Sequence, residues 1–408
     1  MQFSKSTLSL WLVLLVVFLD WTGLGLVYPM FSSMIYHSSS PLLGPETSQA
    51  AKGWYLGILL ASMPIAQFFS GPILGSMSDQ KGRKPIFVIS LILGVFGYLF
   101  CTFAVLIKSV IVLILARFLV GISAGNTAVV SASIADLSTP ETKAKNFGLF
   151  SMACGVGFTI GPVLGGKLSA SGFAMPFVIA CIAFLLNFLL ILFWFKETHL
   201  KRKEVPVNLY VGIRNLKRAF HLKGLRVLFL VVLIFAIGWS FFYEFIPVTW
   251  IAEYKLNPGQ IGLLYAYGAG FFAFSSGVLI RPIVARFKND LVLLTGLALL
   301  GVVILSLLSK PSVYWTWVYM PFVNFFTALI YPTYTSMVSD WAGKDAQGET
   351  LGILQSVQAV GFALSPIGGG IVLTYSASAT LVVGGIAMLL AAFILGALRV
   401  KESFEHKA

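Results

Sequence analysis

Residues 75–85 read Gly-Ser-Met-Ser-Asp-Gln-Lys-Gly-Arg-Lys-Pro and form a short polar stretch between two long apolar runs. Apolar runs of this length are typical of helices that cross a bilayer, so the stretch predicts a tight turn at a membrane surface. Gly75 lets two helix ends approach closely. Asp79 can accept hydrogen bonds from a neighbouring helix N-terminus or pair with a nearby Arg. With Gly82, Arg83 and Lys84, these residues form what we call the latch; an ordinary charged turn is the alternative.

The composition places the chain in lipid. Of 408 residues, 58% are hydrophobic and 11% are charged, and the mean hydropathy is +0.91. A soluble protein has about 25% charged residues. The net charge of +13 would suit a nucleic-acid-binding protein, but the bases lie in short loops on one side of the predicted helices. This distribution follows the orientation rule of membrane proteins, so we expect no nucleic-acid partner.

Twelve apolar runs are long enough to cross a membrane, which predicts an all-α membrane protein with both termini on one side. The first run follows Lys5 and resembles a signal peptide, but it lacks a small-residue cleavage site and is expected to be retained. The twelve spans are placed near 7–30, 53–77, 85–107, 110–136, 146–170, 173–195, 227–251, 259–283, 290–309, 313–338, 348–374 and 377–399.

The positive charges predict the orientation. Of the 28 Lys and Arg residues, 21 lie in one set of loops and termini and 4 in the opposite loops. Basic loops stay in the cytoplasm, so we expect both termini there. The predicted location is the plasma membrane, in a bacterium the inner membrane.

The chain contains an internal duplication. Asp136, Pro162 and Gly166 match Asp340, Pro366 and Gly370, and each pair is 204 residues apart. The predicted domains are a first six-helix half, 1–195, a basic linker, 196–226, and a second half, 227–408. The linker includes an amphipathic piece around Val211–Leu225, which is expected to lie along the inner leaflet.

The pattern of the latch, G-x-x-x-D-x-x-G-R-[RK], is similar to the loop between helices 2 and 3 of the major facilitator superfamily. The resemblance implies twelve helices in two pseudo-symmetric six-helix halves, with a substrate cavity between the halves near the midplane. The second copy of the loop, Arg281-Pro-Ile-Val-Ala285-Arg286-Phe-Lys288, keeps its bases but has Ala285 in place of Asp79. Only one latch of full strength is therefore expected.

The fifth span resembles the family's antiporter motif, which in the family is associated with exporters. Its glycines, four residues apart, would form a smooth groove for a neighbouring helix, and its proline permits a bend. Generic packing of small residues is the alternative. The helix-bending residues are Gly157, Gly161, Pro162, Gly165 and Gly166.

Two charged residues lie within the first and fourth spans. Asp20 belongs to a stretch similar to the D-x-x-G-x-G-x-x-x-P signature of drug/proton antiporters, most closely the tetracycline/proton antiporters. Arg117 belongs to a stretch similar to the family's R-x-x-x-G motif. A buried charge needs a partner or a cavity, so we expect a proton-coupling switch in which Asp20 pairs with Arg117 in one charge state. The alternatives are a structural Asp20 near Gly23 and an Arg117 that reaches the periplasmic surface.

Glu244, in the seventh span, is the third predicted proton-coupling residue. It could instead contact a cationic group of the substrate, or be solvated near the periplasmic mouth. Polar and aromatic residues of the second half are candidates for lining the cavity, because such groups orient a substrate without a charge. They are Tyr265, Tyr267, Asn324, Thr327, Tyr331, Tyr334, Gln355 and Gln358.

The resemblance implies a proton-coupled secondary transporter that moves a small organic compound by alternating access, with export favoured. The sequence has no phosphate-binding G-x-x-x-x-G-K-[ST] motif. The third span and residues 291–309 of the ninth lack the acidic residues that tetracycline antiporters carry. With the presence of Glu244, this keeps uptake of a metabolite or siderophore-like compound as an alternative. A non-transporting membrane sensor is the alternative of another class. We expect no enzyme activity, no cofactor, no metal and a monomer, and the three cysteines are expected to be core residues.

Overall fold

The computed structural model describes residues 5–36, 42–44, 46–199, 211–222, 224–309 and 312–405. These residues form helices joined by short turns, and no strand occurs among them. The predicted all-α class is confirmed. The reason is the solvent: within a bilayer each backbone N–H and C=O must find its partner inside its own segment.

The helices in chain order are α1 (Lys5–Val27), α2 (Met30–Tyr36), α3 (Gln49–Lys81), α4 (Arg83–Leu106), α5 (Val110–Ala124), α6 (Thr127–Asp136), α7 (Pro140–Leu168), α8 (Met175–Trp194), α9 (Val211–His221), α10 (Arg226–Tyr243), α11 (Ile246–Tyr254), α12 (Pro258–Phe274), α13 (Ile280–Arg286), α14 (Asn289–Ser306), α15 (Tyr314–Val372) and α16 (Ala377–Glu405). A π-helix, Ser275–Leu279, joins α12 to α13.

Eleven helical segments of the described chain are long and apolar enough to cross a membrane. The predicted span at 313–338 is not among them, although it is helical and forms the first part of α15. Asn324, Thr327, Tyr331 and the helix prolines Pro321 and Pro332 lower its hydropathy. The count of twelve is consistent with this fold, with the tenth segment more polar than the others.

Three predicted spans are interrupted where polar or turn-forming residues replace the apolar pattern. The first span breaks between α1 and α2 at Tyr28-Pro29, and the seventh breaks between α10 and α11 at Glu244-Phe245. Both breaks lie next to prolines that lack a backbone donor, Pro29 and Pro247. The fourth span breaks between α5 and α6 at Gly125-Asn126. Two of the three breaks therefore carry a polar side chain inside the membrane.

The chain divides into two compact units. The first comprises residues 1–47, 58–211 and 256–266, and the second comprises 48–57, 212–255 and 267–408. The predicted halves differ from these units in two short segments: the start of α3 belongs to the second unit, and the start of α12 to the first.

The amphipathic part of the predicted linker forms helix α9. Its small residues Gly212 and Ala219 are buried. The amide of Asn215 donates a hydrogen bond to Ser356 Oγ at 3.3 Å, within the second unit. Residues 200–210 and 223 of the linker lie outside the described residues, and its position along the inner leaflet stays a prediction.

Candidate functional site

The latch turn depends on one glycine. Gly82 alone separates α3 from α4, and it has φ 100° and ψ 160°, a conformation that L side chains rarely adopt. A Cβ at this position would overlap the Glu197 carboxylate, 2.8 Å from its Cδ. The backbone strain and the closeness of Glu197 both select glycine. Gly75 lies in α3, seven residues before Gly82, and faces Ala128 of α6. A Cβ added at Gly75 would lie 3.4 Å from the Ala128 Cβ, which is an ordinary van der Waals contact.

Arg83 is the centre of the latch network, which we define as Ser78, Asp79, Arg83, Asp136 and Glu197. Its guanidinium is buried and donates to Asp79 Oδ1 at 2.5 Å, Ser78 Oγ at 2.6 Å and Asp136 Oδ2 at 2.9 Å. Of the two predicted partners of Asp79, the structure shows the arginine. Because Asp136 is the last residue of α6, the guanidinium ties α3, α4 and α6 together.

Glu197 adds the fourth element. Its carboxylate oxygens accept hydrogen bonds from the backbone N–H groups of Arg83 at 2.8 Å and Lys84 at 3.1 Å. These are the first two residues of α4, whose N–H groups have no partner within the helix. An anion at a helix N-terminus is also favoured by the helix dipole. The segment that follows α8 is thereby fixed to the start of α4.

The predicted glycine groove of α7 receives α1. An added Cβ would lie 2.6 Å from Phe18 O at Gly157 and 2.6 Å from Thr22 O at Gly161, and it would overlap Leu26 O at Gly165. Glycine at these positions therefore lets the two helices touch backbone to backbone. The stretch of α1 in this contact, 18–26, includes Asp20.

A second face of α7 packs against the start of α12. An added Cβ at Gly166 would lie 2.9 Å from Gly259 Cα, and one at Gly262 would overlap the carbonyl oxygen of Pro162. The second unit repeats this contact, because an added Cβ at Gly57 would lie 2.5 Å from the carbonyl oxygen of Pro366. Pro162 and Pro366 are one of the duplicated pairs, so the repeat seen in the sequence is also a repeat of contacts.

Asp20 is hydrogen-bonded by a neutral amide. Its Oδ2 accepts a hydrogen bond from Asn126 Nδ2 at 3.0 Å. Asn187 of α8 is the second amide beside this carboxyl, and its own Nδ2 donates to Val16 O at 3.4 Å. The carboxyl thus lies where α1, the α5–α6 break and α8 meet, and its residue is partly exposed.

Arg117 and Asp20 form no ion pair with each other in this structure. Arg117 is 2% exposed, so its side chain does not reach a surface. Its Nη2 lies 3.0 Å from Met63 Sδ, and its Cζ lies 4.8 Å from the centroid of the Phe31 ring. A cation above an aromatic face is attracted to it, which partly offsets the cost of burial.

Glu244 ends α10 at the break in the seventh span and is 9% exposed. Its neighbour Tyr243 stacks on Trp239, with ring centroids 5.2 Å apart and an interplanar angle of 23°. Tyr243 also lies near Tyr331 of α15. An acid beside a group of aromatic rings is therefore present within the second unit.

The predicted cavity residues fall into two groups. Asn324 and Thr327 are buried and donate to carbonyl oxygens of their own helix, Met320 O at 2.9 Å and Val323 O at 2.7 Å. The amide of Asn324 and the hydroxyl of Thr327 therefore already donate hydrogen bonds within α15. Tyr265 is 2% exposed, belongs to the first unit and packs edge-on against Tyr28 at 6.4 Å.

The remaining candidates are aromatic or amide groups of the second unit. Tyr331 lies 5.2 Å from Phe235 and 5.6 Å from Tyr334, measured between ring centroids. Gln358 donates to the Tyr334 hydroxyl. Tyr267 packs against Trp317 at 5.4 Å, and both Tyr267 and Gln355 are exposed.

Sequence reasoning did not assign three of these partners: Asn126, Asn187 and Trp239. An asparagine in an otherwise apolar span is a usable signal, because an amide in lipid needs a hydrogen-bond partner. Nothing in the sequence, however, says that both asparagines lie beside Asp20. Among the described residues, no group of three or more His, Cys, Asp or Glu is arranged to hold a metal ion.

Comparison with known sequences identifies relatives. The profile described as Major Facilitator Superfamily matches residues 10–323 and 228–408. The chain is 28% identical to the class C tetracycline resistance protein of Escherichia coli, over 92% of each chain. It is also 28% identical to the quinolone resistance protein NorA of Staphylococcus aureus, over 87% of each chain.

Solved structures share the fold. The human organic anion transporter MFSD10 superimposes with a TM-score of 0.71 at 21% identity, covering 96% of this chain and all of that one. A D-xylose-proton symporter superimposes with a TM-score of 0.71 at 15% identity, covering 93% of this chain and 96% of the other. At these identities the likeness concerns the fold.

Proposed function

Because this chain belongs to the Major Facilitator Superfamily, we propose that it is a proton-coupled secondary active transporter that exports a small organic compound by alternating access. Members of the family are transporters, so the chain is a membrane transporter rather than an enzyme. Export is supported by the relatives named for resistance to tetracycline and to quinolones.

The observation that carries the proposal is the hydrogen bond between Asp20 and a neutral amide, that of Asn126. A carboxylate paired with a fixed cation holds its charge, whereas one whose partners are neutral can change its charge without breaking an ion pair. Asn126 donates to Asp20, and no described cation pairs with it. Asp20 is therefore the proposed proton carrier.

The contact between α1 and α7 suggests how protonation of Asp20 is coupled to a movement of the helices. Asp20 lies in the part of α1 that packs on the glycine face of α7. Pro162, in the C-terminal part of α7, permits a bend. We propose that a change of charge on Asp20 alters its hydrogen bond with Asn126 and lets α1 shift along α7. Arg117, over Phe31 and beside Met63, is proposed to supply a fixed positive charge in the first unit.

The substrate class follows from the second unit. Trp239, Tyr243 and Tyr331 offer ring faces, and Glu244 lies beside them. Such a group suits a planar or aromatic compound that carries an amine, because rings bind rings and a carboxylate binds a cation. Glu244 is proposed as the contact for that cation or as a second proton site. The protein is proposed to act as a monomer, with both termini in the cytoplasm.

The test is transport by purified protein in proteoliposomes with an imposed pH gradient, using tetracycline and a quinolone as probes. We expect the wild type to move a probe only when the gradient is present. The variant Asp20→Asn should bind the probe and lose gradient-driven transport, whereas Glu46→Gln, an exposed acid outside the spans, should transport normally. Gradient-driven transport by Asp20→Asn at the wild-type rate would refute the proposal.

Uptake of a metabolite or siderophore-like compound is the second candidate. It is favoured by the absence of acids from α4 and by Glu244, which lies where the tetracycline group carries no evident counterpart. The direction of transport decides between the two: accumulation of a labelled compound inside cells that make the protein would replace export with uptake. Binding without any movement of the compound would indicate a sensor.

A further inference from the structure

Tyr98, in the second half of α4, is a buried polar residue to which neither the latch nor the contact between α1 and α7 gives a role. It is 1% exposed, and its ring packs against Phe184 of α8, with the ring centroids 4.9 Å apart. A phenol within a membrane span brings a polar hydroxyl into an apolar region, where a polar group without a partner is costly. The surroundings of this hydroxyl therefore indicate what it does.

The Tyr98 hydroxyl lies against the face of α1 that carries Asp20. A Cβ added at Gly23 would lie 3.4 Å from Tyr98 Oη. Gly23 follows Asp20 by three residues, and helix positions three apart are neighbours on one face, about 4.5 Å apart along the axis. The charge of Asp20 also acts on the Tyr98 hydroxyl. Glycine at position 23 thus leaves the space that the phenol occupies beside the acid.

The same part of α4 touches the segment of α5 that carries Arg117. A Cβ added at Gly97 would lie 2.7 Å from Val120 Cγ2 and 3.1 Å from Val120 N, so the two helices are in close contact there. Arg117 lies three residues before Val120, and its charge acts on Tyr98 as that of Asp20 does. The phenol therefore lies near an acid on one helix and a cation on another.

Both charged groups have atoms that lack a partner. Asp20 Oδ1 and the Arg117 atoms Nε and Nη1 are buried and form no hydrogen bond with any described residue. Buried polar atoms are nearly always hydrogen-bonded, because an unmet donor or acceptor loses its solvation without compensation. An arginine keeps its charge in a protein, so its guanidinium needs an acceptor in at least one state of the transport cycle.

On the basis of the proposed role of Asp20 as the proton carrier, we propose that Tyr98 is a positioning residue that connects Asp20 with Arg117 when Asp20 is ionised. A phenol hydroxyl has one donor and free lone pairs, so it can donate to the carboxylate and accept from the guanidinium at the same time. Hydrogen bonds to ionised groups are the stronger ones, so this bridge favours the ionised carboxyl. The phenol keeps its own proton throughout, and the bridge weakens when Asp20 gains one.

The other groups around this position do not supply a competing charge. Asn126 and Asn187, from the α5–α6 break and from α8, are neutral amides. Two thiols also interact with these residues, Cys101 of α4 with Tyr98 and Arg117, and Cys154 of α7 with Asp20. Burial favours the neutral form of a thiol. The charges that the Tyr98 hydroxyl meets are therefore those of Asp20 and Arg117.

The experiment is infrared titration of the purified full-length protein. The C=O band of a protonated carboxyl that disappears in Asp20→Asn reports the protonation of Asp20. The test variant is Tyr98→Phe, which removes only the hydroxyl. The matched control is Tyr36→Phe, because the Tyr36 hydroxyl is buried in the same unit, bonds to no described residue and is acted on by no described charge.

We expect the midpoint of the Asp20 band to move to higher pH in Tyr98→Phe, because the ionised carboxyl loses a donor that favours it. The expected shift is about one pH unit, the scale of one hydrogen bond to a charged group. The midpoint should stay in place in Tyr36→Phe. An unchanged midpoint in Tyr98→Phe, or an equal shift in both variants, would overturn the proposal.

Transport separates positioning from a packing defect. In proteoliposomes, Tyr98→Phe should slow proton-driven export of tetracycline about tenfold at acidic internal pH, where release of the proton from Asp20 is hindered, and the rate should recover at alkaline internal pH. Exchange of labelled for unlabelled tetracycline, which needs no net proton movement, should keep the wild-type rate. An equal loss of export and exchange at every pH would show that Tyr98 only supports the packing of α4.

The two measurements also separate this role of Tyr98 from the proposed function. A wild type that moves tetracycline and a quinolone without regard to the pH gradient would refute proton-coupled transport. The infrared band needs no substrate, so its shift in Tyr98→Phe would still decide whether the phenol stabilises the ionised form of Asp20.

Discussion

Glu197 caps the helix that begins with Arg83: its Oε1 accepts the Arg83 backbone N–H at 2.8 Å, across 114 residues of chain. The same Oε1 accepts the backbone N–H groups of Thr198 and His199, both at 2.9 Å. The carboxylate therefore holds its own segment and the start of α4 in one hydrogen-bonded group. Arg83 also binds Asp79 and Asp136 through its side chain. The position of Arg83 in the latch therefore depends on Glu197, which holds its backbone, as well as on Asp79, which binds its guanidinium.

Replacing Glu197 should loosen the latch. The variant Glu197→Gln keeps the shape but removes the charge that favours the helix N-terminus. We expect the free energy of unfolding to fall by about 1.5–3 kcal/mol, the range for hydrogen bonds to a charged group, and the apparent Tm in detergent to fall with it. The exposed Glu46→Gln is the control. An unchanged Tm in Glu197→Gln would show that the cap contributes nothing.

A methyl group at Gly82 should have a comparable effect for a different reason. Gly82→Ala combines a positive φ with an overlap against Glu197, and the backbone conformation at φ 100° and ψ 160°, which is nearly restricted to glycine, costs other residues about 1–3 kcal/mol. We expect a lower apparent Tm and slower transport. In contrast, Gly148→Ala meets no atom within 4 Å and should be neutral or slightly stabilising. Equal behaviour of the two alanine variants would refute this interpretation of the turn.

The contact between α1 and α7 can be tested inside one helix. Gly161→Ala puts a Cβ 2.6 Å from Thr22 O, and overpacking of this kind costs about 1–3 kcal/mol. We expect the rate of proton-driven transport in proteoliposomes to fall at least tenfold, because the added methyl group on α7 would block the shift of α1 along it. The control is Gly155→Ala, which meets nothing within 4 Å. Normal transport by Gly161→Ala would mean that this contact is not part of the mechanism.

We expect Asn126 to affect the rate of transport through its hydrogen bond to Asp20. Removing the amide in Asn126→Ala deletes the 3.0 Å hydrogen bond to the carboxyl. We expect probe binding to persist while the rate of proton-driven transport falls about tenfold, as the loss of a hydrogen bond to a charged group implies. Thr127→Val is the control, since that hydroxyl bonds to Ala124 O within its own chain segment. A parallel loss of binding and transport in Asn126→Ala would point to a structural role.

The polar residues of α15 should differ in their effect on the substrate. Tyr331 offers a ring near Tyr243, so Tyr331→Ala should weaken probe binding about tenfold, the scale of one lost aromatic contact with its buried area. Thr327→Val should leave the Kd unchanged, because that hydroxyl is buried and bonds to Val323 O. Isothermal calorimetry with tetracycline as the probe measures both. A larger increase in the Kd of Thr327→Val than in that of Tyr331→Ala would show that Thr327, and not Tyr331, contacts the substrate.

Much of the fold and part of the site could be predicted from local features. An apolar run that is long enough to cross a bilayer must be helical, whatever its neighbours are. Gly82 and the glycines of α7 were found for the same reason, since a turn or a close contact requires glycine whatever the partner is. The tenth span shows the limit, because Asn324, Thr327 and its tyrosines make it less apolar than the other spans.

The partners of the charged residues were not predictable in this way. Asp20 finds Asn126 across 106 residues, and Arg83 finds Asp136 across 53. The pairing of Asp20 with Arg117 was a reasonable expectation from depth, yet in this structure the arginine lies over Phe31 and beside Met63. Depth along a helix is readable from sequence, but the direction in which a side chain points around the helix axis depends on the neighbours.

The sequence by itself determined the membrane class, the helical segments, the duplication and the latch turn, because each follows from hydropathy, spacing or backbone conformation within a short stretch. Only the tertiary structure decided which helix fills the α7 groove and which acid caps α4. Those outcomes depend on contacts between segments that are far apart in the chain. Because lipid is as apolar as the helix surfaces, the pattern of apolar residues does not show which face of a helix contacts which neighbour.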